Sequence, residues 1–409
     1  MNKWQEKILE DLVFVDKEQL NNSTEPDFSF YYIDIGSVST NQILFPDSPI
    51  LFRGSPSRAR KVLHDGDVLM ATVRPNLKAF AKFKKPLNRN CIASTGFAVL
   101  SKKEGADIDF IYYTLFSYAL EKQIETLVVG SNYPALNTSD IRKLKILAPS
   151  LPEQRQIATI LSTADAVIEK TQAAIAKYKA IKQGMLQDLF TRGIDTTTGK
   201  LRPTYQDAPE LYKESKLGWI PREWEVERID NLCQITTGNK DTQNKLEYGE
   251  YPFFVRSQTI EKINSYSYDG EAILTAGDGV GVGKIYHYIN GKFDFHQRVY
   301  MLYEFEKTIA PKFLFYFFSN NFLAEVDRCS AKTTVDSVRM EMIAGMKIPL
   351  PDISEQISIA EKLITLESKL QTEQDFLHKQ QQIKAGLMND LLSGKRKVKS
   401  EKLEEEVKN

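Results

Sequence analysis

Cysteine is scarce. Cys91, Cys233 and Cys329 are the three in 409 residues, and no two form a CxxC pair. That spacing excludes a zinc ribbon and fits buried thiols in a reducing compartment. Histidine is equally sparse, and His64, His287, His296 and His378 never fall at metal-ligand spacing. No apolar run approaches the roughly 18 residues of a membrane helix. The opening "MNKWQEKILEDLVFV" is charged throughout, so neither a signal peptide nor a membrane association is expected. A cytoplasmic location is the expectation. Neither charge sign is in excess, with 54 Lys+Arg against 54 Asp+Glu. A basic surface could arise only by local segregation of charge.

Catalytic signatures are also missing. "AGDGVGVGK" (276–284) resembles a phosphate loop, but Asp278 stands where glycine is needed and Ile285 follows the lysine in place of Ser or Thr. It reads as a turn between strands. The sequence contains no NPPY-type or DPPY-type segment of an amino-methyltransferase, no helicase motif and no nuclease carboxylate cluster. No catalytic residue and no metal ligand is assigned. The absences together favour a binding protein.

What the chain does contain is a repetition. "EQRQIA" begins at Glu153 and "EQISIA" at Glu355, 202 residues later, each after a proline-bearing run. The register holds without a gap to Asp188 and Leu189 against Asp390 and Leu391, which marks an internal duplication. Each copy reads as one long helix. Apolar residues recur mostly at steps of three and four: Ile157, Leu161, Ile168, Ile175, Ile181, Met185 and Leu189 in the first. Ile359, Leu363, Leu370, Leu377, Ile383, Leu387 and Leu391 repeat the stripe in the second. So narrow a stripe on so long a helix suits a coiled-coil seam. Thr171 and Glu373 share a polar seam position midway, which would fix register but leaves helix direction open.

Before each helix lies a segment rich in short β-type runs, such as "GDVLMATV" and "RVYMLYEF". Aromatic stretches follow, "IDFIYYTLFSYAL" and "IAPKFLFYFFSNNFL", and these read as buried helix faces rather than base-stacking platforms. The organisation is a mixed α/β domain over 1–150, a helix over 151–192 and an irregular connector over 193–217. A second domain over 218–352, a helix over 353–393 and a charged tail over 394–409 complete it. The fold class is α+β with an internal pseudo-twofold repeat.

Charge does segregate once. Between Leu51 and Asn90, ten basic side chains face Asp65 and Asp67 alone. They are Arg53, Arg58, Arg60, Lys61, Arg74, Lys78, Lys82, Lys84, Lys85 and Arg89. All but Arg89, together with Asn76, are candidate DNA contacts, since phosphate contacts supply most non-specific affinity. The second domain has no such excess: residues 221–352 hold 15 basic and 19 acidic side chains. Its candidates are isolated: Arg256, Gln258, Lys284, His296, Gln297 and Arg298. Arg, Gln and Asn are suited to reading base edges through paired hydrogen bonds. The polar loops add Asn132 and Tyr133 in the first domain, Lys332 and Thr333 in the second.

Taken with "GDVLMATVRP", "YPALNTSDIRKLKILAPSLPEQRQIA", "MLQDLFTRGID", "LGWIPREWEV" and "IPLPDISEQISIA", the pattern resembles the DNA specificity subunit of type I restriction-modification enzymes. The first domain departs from it by lacking the Gly-Trp-Ile-Pro run that opens the second. The resemblance implies that each domain recognises one half of a bipartite double-stranded DNA target. It implies an antiparallel coiled coil between the helices. The partners it implies are two adenine-methylating subunits and two ATP-driven restriction subunits. S-adenosylmethionine, ATP and magnesium would serve those partners, with no cofactor in this chain. Two other readings are a coiled-coil scaffold with no DNA role and a stand-alone DNA-modifying enzyme.

Overall fold

The structure, a computed structural model, describes residues 4–128, 134–330 and 337–396. Two uninterrupted helices dominate, Leu151–Thr191 and Ile353–Leu392. Neither contains an internal glycine pair or a proline beyond the first turn, where proline is tolerated. The chain forms two compact units that cut both helices in half. One holds residues 1–172 and 375–409, the other Ala173–Gln374. Each unit is thus an α/β domain with the start of the helix that follows it and the end of the other helix. The helix pairing is antiparallel in both. In the first unit Ile157 and Leu161 share a core with Leu391 and Leu392. In the second, Leu186 and Leu189 share one with Ile359 and Leu363.

Two positions expected in the seam are not there. Ile181 and Ile383 are exposed, and the lysine after each, Lys182 and Lys384, turns inward instead. A straight helix of 3.6 residues per turn drifts against a seven-residue repeat. By this depth the inward position has moved one residue on, and Leu186 is buried where Met185 is only half-buried. Lys182 pairs with Glu367, and Lys384 with Asp165. These are equivalent bridges under the 202-residue repeat. Each carboxylate also accepts a hydrogen bond from a tyrosine of the domain helix packed on it. Tyr113 donates to Asp165 at 2.8 Å and Tyr316 to Glu367 at 2.7 Å. Burial, then the carboxylate, pushes both phenols above their ordinary range, so they remain donors. Thr171 is buried with its hydroxyl on the Val167 carbonyl of its own helix.

The repeated Glu-Gln has a structural cause. Gln154 and Gln356 are 2% and 0% exposed, and each side-chain oxygen accepts from a backbone N–H at the start of the aromatic helix region. The donors are Asp107 and Ala310. Their side-chain NH2 groups donate back to the carbonyls of Pro149 and Pro351. A buried amide with these bonds satisfied fixes helix start to domain without leaving polar atoms dry. The glutamates hold tryptophans: Trp4 donates to Glu153 at 3.3 Å and Trp224 to Glu355 at 3.0 Å. Trp4 therefore plays in the first domain the part that Trp224 plays in the second. The absent Gly-Trp-Ile-Pro run does not remove the anchor.

The first and last strands of each domain pair antiparallel, Gln5–Ile8 with Lys145–Ala148 and Glu225–Arg228 with Lys347–Leu350. Between them the domains share a topology. In the second, one six-stranded sheet runs in the order Gln234–Thr237, Val299–Tyr303, Tyr268–Ala276, Tyr286–Phe295, Tyr251–Phe254, Glu261–Ile263. The first domain matches it with two four-stranded sheets, one of which carries an additional strand, Ala59–Val62, on Cys91–Ser94. Strand Tyr286–Phe295 pairs antiparallel with Tyr268–Ala276 and in parallel with Tyr251–Phe254. In the first domain Phe80–Lys82 makes the former pairing and Cys91–Ser94 the latter, with "FKKPLNRN" between them. Pro86 in that interruption cannot donate to a ladder. The aromatic stretches form helices against the sheets, with Phe110, Tyr113, Phe313 and Phe318 at most 1% exposed, so they are core. The connector is more regular than expected: two small hairpins, Ile194–Asp195 with Lys200–Leu201 and Tyr212–Ser215 with Gly218–Pro221.

The two glutamates differ in what removal would expose. Glu355 also receives Arg202, at 2.5 and 3.0 Å, in a nearly dry site. Glu355→Ala takes from that guanidinium its buried partner, leaving only the exposed carboxylate of Glu223, and strands the Trp224 and Ile194 N–H donors, so it is expected to cost about 3–5 kcal/mol. Glu153→Ala loses one half-buried hydrogen bond and is expected to cost about 1 kcal/mol. Urea midpoints of the two variants check the difference, and equal losses would contradict it.

Candidate nucleic-acid interface

The basic stretch over 51–90 is less basic in three dimensions than along the chain. Its acidic partners come from elsewhere in the sequence. Arg53 meets Asp27 at 2.8 Å, Lys78 meets Glu121 at 2.9 Å and Lys82 meets Asp109 at 3.2 Å. These pairs are partly or fully exposed, hold little energy and can exchange for a phosphate. Lys61 cannot. It is 5% exposed and locked at 2.5 Å to Asp16, whose other oxygen accepts from the Val99 N–H. Lys61 is a structural residue, and its assignment to the DNA surface is corrected here. Arg60 lies over Phe52 and donates to the Ala59 carbonyl. Arg58, Lys84 and Lys85 are exposed. Lys84 and Lys85 sit in the interruption between strands described above, beside Leu87, which is 92% exposed.

In the second domain the isolated candidates come together. The loop ends after Tyr251–Phe254, after Tyr268–Ala276 and before Val299–Tyr303 meet at one corner of the sheet. Arg256 reaches Asp278 at 2.6 Å, and Arg298 approaches the other oxygen of Asp278 at 3.7 Å. Gln297 donates to Asp241 at 3.2 Å. Gln258 and Lys284 are exposed on the same loops. The glycines of "AGDGVGVGK" make this convergence possible. A Cβ on Gly277 would stand 3.0 Å from the Arg298 carbonyl, and Gly279 has φ +72°. Between Gly279 and Gly281, Val280 is 97% exposed. The stretch is a turn between strands, as its failed phosphate-loop pattern suggests.

His296 belongs behind this corner, not on it. It is 3% exposed, and its Nδ1 accepts from the Arg298 N–H at 2.9 Å. Burial, and then the nearby Arg256, holds its pKa below the usual histidine value, so it offers no cation to a phosphate. It is corrected to a residue that orders the Arg298 loop. His287 is likewise buried and held neutral by burial. Asn132, Tyr133, Lys332 and Thr333 lie outside the described residues, as does the charged tail from 397 on.

The same corner exists in the first domain. Val338 N–H donates to Gly277, and Gly277 N–H to Arg298. In the first domain Leu136 N–H donates to Thr72, and Thr72 N–H to Gly96. The isolated bridges Asp278↔Ser337 and Val73↔Ala135 coincide in this scheme. The first corner therefore presents Asp34–Ser37, Thr95 and the turn Arg74–Lys78. Arg74 and Lys78 have φ of +49° and +50°, and Asn76 is exposed between them. Sequence reasoning picked out Arg74, Asn76 and Lys78 but not Ile35 or Thr95. The backbone bonds set "ATVRP" on "AGDGV", and Ile35 and Thr95 lie on other loops that no motif in the chain singles out.

Among the described residues no three His, Cys, Asp or Glu side chains converge as a metal site, and no helix is long and apolar enough to cross a membrane. Two α/β domains that carry polar loop corners at the same topological place, each set on antiparallel helices, define a duplicated recognition protein. The sequence matches the family described as "Type I restriction modification DNA specificity domain" over residues 1–178 and 221–385, and the chain belongs to that family. It is 25% identical over 370 residues to the type I restriction enzyme MjaVIII specificity subunit of Methanocaldococcus jannaschii, covering 83% of this chain and 81% of that one. It is 31% identical over 155 residues to the EcoDI specificity subunit of Escherichia coli, covering 38% and 34%. The fold superposes on the crystal structure of a type I restriction-modification S subunit from M. genitalium with a TM-score of 0.64, at 14% identity and 96% coverage of both chains. A second solved chain, from work on complex assembly and conformational transition of the type I R-M system, gives a TM-score of 0.52 at 20% identity and 95% and 97% coverage.

Removing the buried and exposed lysines is expected to separate two effects. Lys61→Ala should lower stability by about 3–5 kcal/mol and leave the salt dependence of DNA binding unchanged. Lys84→Ala with Lys85→Ala should leave stability within about 0.5 kcal/mol. It should flatten log K against log salt by up to about 0.9 per lost phosphate contact. Urea denaturation and binding titrations at several salt concentrations read both.

Proposed function

We propose that the chain is the sequence-reading subunit of a type I restriction-modification assembly, with one half-site of a bipartite target read at each loop corner. The observation that carries this reading is the duplication of the corner. Two corners at the same topological place, bearing different residues, suit two different short sequences. The long helices would hold the readers at a fixed separation, since half-sites one turn apart lie roughly 34 Å from each other. Linking the readers also makes the second contact intramolecular, which raises affinity without new contacts. The partners in this reading are a methyltransferase subunit, present twice, and a pair of ATP-driven restriction subunits. S-adenosylmethionine, ATP and magnesium would be used by those partners, with no cofactor held in this chain, and the assembly would work in the cytoplasm.

The helices supply the test. Deleting seven residues from the middle of each helix shortens both by about 10 Å. That is about three base pairs at ~3.4 Å each. Selection of bound duplexes from a pool with randomised spacers should recover the same two half-sites at a shorter spacing. An unchanged spacing in a folded, binding-competent variant would assign the ruler to something other than these helices. The purified chain alone is expected to show no ATPase, nuclease or methyl-transfer activity. Turnover that follows this polypeptide through purification would overturn the non-catalytic assignment.

A further inference from the structure

The corner of the second domain contains a feature that a phosphate-binding surface would not favour: a carboxylate between its two arginines. Asp278 sits at the start of the short turn Gly279–Gly281, yet its side chain caps no turn N–H. It faces Arg256 at 2.6 Å and Arg298 at 3.7 Å. The arginine side chains are 43% and 65% exposed, whereas the aspartate is 22% exposed. The guanidiniums therefore lie outward of the carboxylate that holds them.

A DNA phosphate approaching these arginines would also approach Asp278, and like charges repel. A guanine edge presents the neutral acceptors O6 and N7 to the major groove, and its cytosine presents an N4 amino donor. An arginine held from behind by a carboxylate matches the guanine side of that pattern. The guanidinium donates to O6 and N7, and the carboxylate behind it keeps the fork in place. The arginine also loses less side-chain freedom on binding, because Asp278 has already ordered it. Arg298 engages Asp278 through Nε, which leaves both Nη groups to donate.

We propose that Arg256, Asp278 and Arg298 form a preorganised reader of a G·C base pair in the half-site assigned to the second domain. Asp278 acts as the positioning residue. This rests on the reading of the chain as a DNA-sequence reader. Its consequence separates it from a general electrostatic role. Asp278→Asn removes one negative charge and keeps the side chain's size. Affinity for random duplex DNA should rise or stay level, while preference for the cognate base pair falls. A merely structural role would lower both together and would lower the melting temperature.

The test uses the full-length chain and a pool of random duplexes of about 30 base pairs. Wild type selects a consensus, and each variant is then titrated on that consensus and on its three single-pair alternatives at each position. Arg298→Ala or Arg256→Ala should lose roughly 5- to 150-fold on the consensus, with the loss confined to one position occupied by a G·C pair. Asp278→Asn should flatten the same position, with a melting temperature unchanged. Arginine variants that weaken every duplex alike, with a shallower salt slope and an intact consensus, would overturn the proposal in favour of phosphate contacts. So would a consensus without a G·C pair at any position these variants affect. A wild-type chain that selects no sequence would overturn the reading on which the proposal rests.

Discussion

Most of this molecule depends on how a domain is fastened to a helix. The fastening is a buried amide, Gln154 in one half and Gln356 in the other, that bonds a domain N–H on one side and the proline carbonyl before its own helix on the other. About three helical turns further on, a carboxylate joins three parts at once. Asp165 takes a tyrosine from its domain and a lysine from the opposite helix, and Glu367 does the same. Neither residue type tolerates burial without partners, and the partners come from different segments. A register slip of one residue would strand a lysine, a carboxylate and a phenol together. The joint therefore specifies geometry more strongly than the apolar stripe does, because leucines can slide along one another at lower cost.

Because the joints carry the architecture, the sheet corners are free to differ. The second domain uses one long strand, Tyr286–Phe295, where the first uses two short ones and an exposed basic interruption. Both place their loops through the same backbone bonds, from Thr72 and Gly96 in one and from Gly277 and Arg298 in the other. The residues displayed there have little in common: an arginine pair on an aspartate against a turn bearing Arg74, Asn76 and Lys78. Shared joints with unlike corners suit the proposed reading, in which each half would read a different sequence.

The helices, their duplication and the alternation of domain and rod were legible from spacing alone, since periodicity and repetition are local properties of a chain. The antiparallel direction was not, because the polar seam position permitted either. Ile181 and Ile383 were misplaced because a seven-residue template was extended further than a straight helix allows. Lys61 was misread for a different reason. Its partner Asp16 lies 45 residues away, and a forty-residue charge count takes no notice of it. Asp27, Asp109 and Glu121 escaped the same count. The second corner was half visible: Arg256, Gln258, Gln297 and Arg298 were singled out by residue type. Asp278, which holds two of them, was noted only as the reason a phosphate motif failed. Trp4 was overlooked because the two domains differ in length between tryptophan and helix, so the 202-residue register does not align it with Trp224.

The central claim is that two unlike corners on one duplicated frame read two unlike half-sites. Mapping of methylated bases across the genome of a host with and without this gene tests it most directly. The expected result is one gene-dependent motif made of two short defined sequences separated by a fixed stretch of undefined bases. A single continuous motif, or a methylation pattern that ignores the presence of the gene, would contradict it.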